Sequence, residues 1–307
     1  MSRFFSTRQP RRDEIGYLRD IWSVVFADGD ESSYFDYYFD PDMCIAAIVD
    51  EVPVAAGYLL PAGDIICSGI SVPCAMIYGV ATLPEYRSLG CGTAIVRDLL
   101  SAGRGAGFPA VTLCPSNDSL FGFYSERSEL RDWFYINEQI CKYTPASSNR
   151  VHPDEIPPQA YGHLRENLLA NIPHIKANTR ALLYQSMLCD EFGGGLFRID
   201  TPGGVSCAVV EQERSGTLLI KELLAPGGYE NYALSSIASA FPSNEYIVRS
   251  PARRSNMNFT ANNSQSGEFS AQDFEQIKRF GMVSAPDILP NLQYMSGFMP
   301  WFGLAFD

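Results

Sequence analysis

The sequence contains no long apolar run. No stretch approaches the roughly 18 consecutive apolar residues that a membrane-spanning helix needs. The N-terminus, MSRFFSTRQPRRDEIGYL, lacks the apolar core and the small-residue cleavage site of a secretory leader. We therefore expect a cytoplasmic protein with no membrane partner.

The sequence also lacks the cysteine spacings of metal sites. Its eight cysteines are scattered, with no two within four residues of each other, so neither a CxxC zinc site nor a ladder of disulfides is indicated. Most of them lie in apolar runs, which is typical of reduced, buried thiols. We expect no metal.

Basic residues are outnumbered. The chain has 23 lysines and arginines against 35 aspartates and glutamates, which gives a net charge of −12. This charge works against a polyanionic partner, and we predict no nucleic-acid partner. A cationic substrate is compatible with it, although many proteins are acidic for solubility alone.

The chain has 307 residues, a length typical of about two domains, and each domain could bury a full hydrophobic core. Residues 11–39 have helical spacing interrupted by the acidic loop ADGDE, and four strand-like runs follow as an antiparallel meander. Helix 92–107, strand 108–115 and helix 118–130 come next, with Asp118 as the candidate cap. We expect a βαβα unit with parallel or splayed strands.

A proline-rich stretch, YTPASSNRVHPDEIPPQAY, separates this region from a second one. The second region has helices and strands in a similar order, which suggests an internal duplication. Its last residues, QYMSGFMPWFGLAFD, are too apolar for a frayed end, and we expect a docked edge strand. We predict a domain at 1–145, a linker at 146–160 and a second domain at 161–307.

The stretch PEYRSLGCGTA places two glycines between a strand and a helix. Such a loop directs backbone N–H groups and the positive end of the helix dipole at one point, where a phosphate can bind. The dinucleotide pattern GxGxxG is absent because Ile95 stands at its third glycine, and GxxxxGK[ST] is absent too. The pattern that remains is RxxGxG, from Arg87 to Gly92.

Around this pattern, YGVATLPEYRSLGCGTAIVRDLL resembles the acetyl-coenzyme A signature of the GNAT acetyltransferase superfamily. NDSLFGFY, with Asn117 seven residues before Tyr124, resembles the downstream motif of that superfamily. The resemblance covers about residues 1–145, but Ser128, Glu129 and Leu130 replace the usual Gly-Phe after the tyrosine helix. It implies acetyl-coenzyme A as co-substrate, held by Val80, Thr82, Arg87, Ser88, Leu89, Gly90, Cys91, Gly92 and Asn117.

The resemblance also implies roles in catalysis. Tyr124 would be the general acid that protonates the coenzyme A sulfur, whereas the residues alone favour a core aromatic, because LFGFY places several aromatic residues on one short helix. The acidic loop would rim the acceptor groove and attract a cation through Asp28, Asp30 and Glu31. The residues leave the general base without an assignment. His152, His163 and His174 all lie after residue 150, outside the motif, and each suits a lone surface or helix-face histidine.

The whole chain looks like the Eis-type branch of this superfamily, without its third domain. This implies an α/β (α+β) fold of two GNAT-like mixed-sheet domains in tandem, the second degenerate.

The second half offers no second glycine loop of this kind. Gly227 and Gly228 suit a turn, so we expect one cofactor site per chain. The last strand would return to the first domain and bring the carboxylates of Asp307 near Tyr124; alternatively, it only joins the two halves.

We therefore predict an N-acetyltransferase that uses acetyl-coenzyme A and acts on a primary amine. The acceptor is a polyamine, an aminoglycoside-like molecule or a lysine side chain, whether free or in a peptide. A non-catalytic acyl-coenzyme A sensor and a transferase for a longer acyl group are the alternatives. Self-association of the chain is left open.

Overall fold

The computed structural model of the chain describes residues 4–26, 33–143, 151–212, 216–254, 269–270, 276–285 and 297–306. They form two compact units. The first contains Met1–Ile65, Ser71–Trp133 and Gly281–Gln293, and the second contains Ile66–Ile70, Phe134–Phe280 and Tyr294–Asp307. No helix among the described residues is long and apolar enough to cross a membrane. The predicted domain boundaries stay a prediction.

The first unit is a mixed sheet with helices. Its strands lie in the order β1-β2-β3-β4-β5, followed by the end of β14 (Gln276–Ser284), a strand that begins in the second unit. Pairing is antiparallel from β1 to β3 and parallel between β4 and β5. In chain order, the elements are β1 (Ser6–Arg8), α1 (Ile15–Phe26), β2 (Cys44–Val49), β3 (Val52–Cys67), β4 (Ile70–Thr82), α2 (Cys91–Gly105), β5 (Ala110–Leu113) and α3 (Asp118–Arg127).

Helix α2 connects β4 to β5 and covers the sheet. Its apolar positions Ile95, Val96 and Leu99 recur at helical spacing and are all buried in one core cluster with the strands. A parallel pair of strands needs such a crossover helix. The predicted βαβα unit with parallel strands is confirmed.

The second unit repeats this pattern with different residues. Its sheet has the order β6-β12-β11-β10-β9-β7, and β11 and β12 are a parallel pair joined by a helix. Its elements are β6 (Arg131–Tyr143, which begins in the first unit), β7 (Asp154–Glu155), α4 (Pro158–Leu168), β8 (His174–Ala177), α5 (Thr179–Glu191), β9 (Gly195–Thr201), β10 (Gly204–Gln212), β11 (Thr217–Leu224), α6 (Glu230–Ala240), β12 (Glu245–Pro251), β13 (Phe269–Ser270) and β14 (Gln276–Ser284).

The mixed α/β fold is as predicted, but several elements differ in detail. The runs predicted as two strands in the meander form one strand, β3. In the second region, the sequence HIKANTRALLYQSMLCDEF favours a helix from His174 onward. The helix begins only at Thr179, because Asn178 caps it through its side chain and the residues before it form β8. The end of the chain, residues 301–306, is buried as expected but is not a regular strand.

Candidate functional site

The parallel strands of the first unit separate at their carboxyl ends. The register of β4 with β5 ends at the pair Ile77 and Leu113, whereas β4 continues to Thr82. Carboxyl ends of parallel strands meet at one edge of a sheet, and ligands of α/β proteins bind outside this edge. The loop before α2 and the loop before α3 both follow these ends. They therefore belong to the same edge.

The glycine loop reaches α2 through two left-handed residues. After a short 3₁₀ turn at Pro84–Tyr86, Ser88 has φ 72° and Gly90 has φ 90°. Gly90 is the N-cap, has no capping side chain, and its carbonyl accepts the first helical hydrogen bond from Ala94 N–H at 3.1 Å. The preceding N–H groups at this helix start have no partner within the helix.

Space in front of this helix end is open. A Cβ on Gly90 would have no protein atom within 4 Å, and one on Gly92 would meet only the Thr82 Oγ1 at 3.9 Å. Arg87, Ser88 and Gly90 are exposed, whereas Leu89 packs against the core. The open face, the unpaired amides and the dipole together suit a phosphate group.

The end of β4 lies behind this loop. Val80 and Thr82 are half-buried, and the Arg87 Nε donates to the Thr82 carbonyl at 3.4 Å. Gly79 precedes them with φ 58°, and a Cβ there would overlap the indole of Trp22. Sequence analysis did not identify this glycine; its place in a strand-like run was the available signal.

Helix α3 starts at Asn117 and carries Tyr124. The Asn117 Oδ1 accepts from the Ser119 N–H at 3.2 Å and from its Oγ at 2.6 Å, so Asn117 is the cap, and the prediction of Asp118 is wrong. Asn117 has the extended backbone of an N-cap, with φ −154°, and Asp118 is already the first residue of the helix.

The ring of Tyr124 is buried in the core cluster of the first unit, with an exposed fraction of 7%. Burial raises the pKa of its phenol to about 12. It is therefore protonated throughout the neutral range, as a proton donor must be. Its helix ends at Ser128, whose N–H and Oγ both donate to the Tyr124 carbonyl, at 2.9 and 2.7 Å.

One cysteine lies at the start of the helix that follows the glycine loop. Cys91 stands at the first turn of α2 and is buried, and burial raises the pKa of its thiol. All eight cysteines of the chain are free thiols. In the described part of the chain, no three His, Cys, Asp or Glu side chains are grouped to hold a metal ion.

The acidic residues of the predicted acceptor groove, Asp28, Asp30 and Glu31, lie outside the described residues, as does Asp307. The three histidines lie within the described residues. His174 is buried and contacts Glu166 at 3.2 Å in the second unit, and the Nδ1 of His152 is 2.8 Å from the Pro153 carbonyl.

The corresponding loop of the second unit differs in one respect. It lies between β11 and α6, and its Gly228 N–H donates to the Glu230 Oε2 at 2.8 Å. A carboxylate of the chain itself thus takes the place that a phosphate oxygen would need. This contact favours a turn at Gly227 and Gly228.

Comparisons with known proteins agree with this geometry. The model of a family described as an acetyltransferase (GNAT) domain matches residues 6–127. A search of curated proteins finds no match. Among solved structures, a "probable N-acyltransferase" of Enterococcus faecalis V583 has a TM-score of 0.65 and 14% identity, covering 94% of this chain and 75% of that one.

Two further structures show the same fold. A GCN5-related N-acetyltransferase of Kribbella flavida has a TM-score of 0.62 and 14% identity, with 92% of this chain and 71% of that one covered. Eis1 of Mycobacterium abscessus has a TM-score of 0.58 and 10% identity, with 91% and 73% covered. Residues 6–127 thus match the model of a GNAT acetyltransferase domain, and most of the chain shares its fold with these three structures.

Proposed function

We propose that the chain transfers an acetyl group from acetyl-coenzyme A to a primary amine: a polyamine, an aminoglycoside-like molecule or a lysine side chain. The observation that carries this proposal is the start of α2, where left-handed Gly90 and open Gly92 leave amides directed at free space. This site lies at the separated carboxyl ends of β4 and β5.

The main chain would bind and orient the co-substrate. Amides from Arg87 to Gly92 hold the pyrophosphate. The backbone of Val80 and Thr82, beyond the end of the β5 register, pairs with the pantetheine arm like an added strand. An N–H group of this stretch also polarises the acetyl carbonyl, so that charge developing on its oxygen is stabilised. Asn117 caps α3 beside this edge and positions that helix.

Transfer requires two proton movements. The neutral amine attacks the acetyl carbonyl, a C–N bond forms, and the C–S bond breaks with the electron pair on sulfur. Tyr124 gives its proton to this thiolate. The attacking nitrogen loses its proton to a base, for which Asp307 is our candidate. Asp28, Asp30 and Glu31 would attract the cationic acceptor before it is deprotonated.

We further infer that the chain is an Eis-like tandem protein with one cofactor site. Support comes from the repeated order of a meander, a crossover helix and a parallel strand, seen as β4-α2-β5 and as β11-α6-β12. The Glu230 carboxylate on Gly228 argues against a second phosphate site.

Release of free thiol from acetyl-coenzyme A, measured with a panel of amines, tests the proposed reaction. Amine-dependent release with one acetylated product supports transfer. Tight binding of acetyl-coenzyme A with no release for any amine would instead support an acyl-coenzyme A sensor. Faster release from longer acyl thioesters than from the acetyl thioester would assign a different acyl donor.

A further inference from the structure

A cluster of buried charges lies in the second unit. Arg165, Glu211, Lys221 and Glu222 are each exposed by 8% or less. Burial of an ion costs several kcal/mol even after relaxation, and an apolar replacement of a buried pair is often neutral or stabilising. Stability alone therefore does not account for this cluster.

A β-bulge creates the cluster. Val209 on β10 pairs with Glu222, and the next residue, Val210, pairs with Ile220, so Lys221 is the extra residue of β11. Bulges redirect side chains and are common beside functional sites. Here two adjacent charged residues are both buried, each in its own ion pair.

One of these pairs is completed by the end of the chain. The Glu222 carboxylate accepts from Arg165 Nε at 2.8 and 3.0 Å, from the Tyr161 hydroxyl at 2.6 Å and from the Trp301 Nε1 at 2.6 Å. Arg165 donates in turn to the carbonyls of Ile175, at 2.8 Å, and Phe302, at 3.4 Å. Trp301 and Phe302 thus satisfy both partners of the pair.

The backbone of this segment is bound as well. The Trp301 N–H donates to the Pro173 carbonyl at 2.8 Å, and its carbonyl accepts from the Ile175 N–H at 3.1 Å. The Tyr135 N–H donates to the Pro300 carbonyl at 3.0 Å. These bonds are those of a short peptide added beside β8.

Two residues after Trp301 have left-handed backbones. Gly303 has φ 68°, and a Cβ there would collide with the Glu222 carboxylate and the Trp301 indole. Phe306 is also left-handed, with φ 56°, which is costly for a bulky residue, and its ring packs on Tyr184. The strained residue immediately precedes Asp307.

We propose that Arg165 and Glu222 form a positioning site that fixes residues 301–306, the segment that leads to Asp307. This inference rests on the proposed function, in which Asp307 takes the proton of the amine. Arg165 and Glu222 would be positioning residues that act through the segment without touching the substrate.

The second buried pair supplies a matched control. The Glu211 Oε1 accepts from Lys221 Nζ at 3.1 Å and from Gln185 Nε2 at 2.6 Å, so its bonds are to β11 and α5. Glu211→Gln and Glu222→Gln make the same change on neighbouring strands. Trp301→Phe removes one indole N–H from Glu222 and keeps an aromatic ring.

The test measures hydrogen–deuterium exchange and kinetics on each full-length variant. Trp301→Phe and Glu222→Gln should raise exchange in residues 297–306 by about tenfold, because a hydrogen bond to a charged group is lost. Their kcat for an amine should fall roughly 10- to 100-fold, the effect of misplacing a reacting group by about 1 Å. Affinity for acetyl-coenzyme A should not change. Glu211→Gln should leave both segment exchange and kcat as in the parent.

Two results would overturn the proposal. Unchanged exchange of residues 297–306 in Trp301→Phe and Glu222→Gln would show that the pair does not fix the segment. Raised exchange with an unchanged kcat would show that the segment has no part in catalysis. If the parent itself released no thiol with any amine, the proposed function would fail, while the exchange data would still decide whether the pair fixes the segment.

Discussion

Gly79 and Trp22 are in direct contact, and the contact leaves no room for a Cβ on the glycine. Gly79 lies in β4 where the register with β5 has ended, and its φ is 58°. Trp22 belongs to α1 and stacks on Tyr34 with ring centroids 5.0 Å apart. The contact therefore links the aromatic packing around α1 to the strand that is proposed to bind pantetheine.

Gly79→Ala should destabilise the protein by about 1–3 kcal/mol, because it combines a left-handed conformation with overpacking against Trp22. Urea denaturation measures this change. Gly122→Ala is the control: Gly122 is exposed in α3 with no atom within 4 Å of a Cβ, so alanine there should stabilise by up to about 1 kcal/mol. Equal stability of the two variants would show that Trp22 moves aside at no cost.

Gly92→Trp should abolish acetyl-coenzyme A binding without unfolding the protein. The added side chain would extend into the open space before α2, where the pyrophosphate is proposed to bind. Gly105→Trp, at the other end of the same helix and equally uncrowded, should bind the co-substrate as the parent does. Isothermal calorimetry measures both affinities. A folded Gly92→Trp variant with parental affinity would remove the site from this loop.

Tyr124→Phe should keep the affinity for acetyl-coenzyme A and lower kcat roughly 10²- to 10⁴-fold, because a positioned general acid is lost while the ring stays in the core. Steady-state thiol release measures kcat. Tyr17→Phe, in an exposed position of α1, is the control and should be as active as the parent. A kcat of Tyr124→Phe within a few-fold of the parent would assign this tyrosine to packing.

The pH profile should show no loss of kcat between pH 7 and pH 10. Burial raises the pKa of Tyr124 to about 12, so that the acid stays protonated over this whole range. Activity should fall only toward low pH, where the acceptor amine and its base take up protons. A descending limb centred near pH 8 or 9 that disappears in Tyr124→Phe would contradict a phenol with this raised pKa.

Glu14 should contribute stability that depends on pH. The hydrogen bonds from Arg8, at 2.6 and 2.7 Å, together with the Arg11 N–H, lower the pKa of Glu14 from 4.5 to about 2. A lowered folded-state pKa means that this stability is present above about pH 4.5 and is lost as the pH falls toward 2. Glu14→Gln should cost about 1.5–3 kcal/mol at pH 7 and much less at pH 2.

The control for this prediction is Glu51→Gln. Glu51 pairs with Arg11 at 3.5 Å but its side chain is 85% exposed, so its removal should cost well under about 1 kcal/mol at pH 7. Urea denaturation at several pH values compares the variants. A constant difference between Glu14→Gln and the parent from pH 7 to pH 2 would show that the charge of Glu14 does not stabilise the fold.

The sequence by itself determined the glycine loop, the crossover helix after it and the position of Tyr124 on the next helix. These features are local: a left-handed N-cap needs glycine, and a helix face needs apolar residues three or four positions apart. Neighbouring residues carry both signals. The parallel pairing of β4 with β5 followed from the same short segment, since a strand, a helix and a strand leave few arrangements.

Only the tertiary structure decided the relationships between distant residues. Gly79 meets Trp22, and Glu222 joins Arg165 to Trp301, through contacts that no periodicity encodes. The bulge at Lys221 depends on the register of two strands, which is set by the packing of both sheet faces. The cap is Asn117 and not Asp118. Both residues suit the cap position chemically, and the backbone that leaves β5 selected between them.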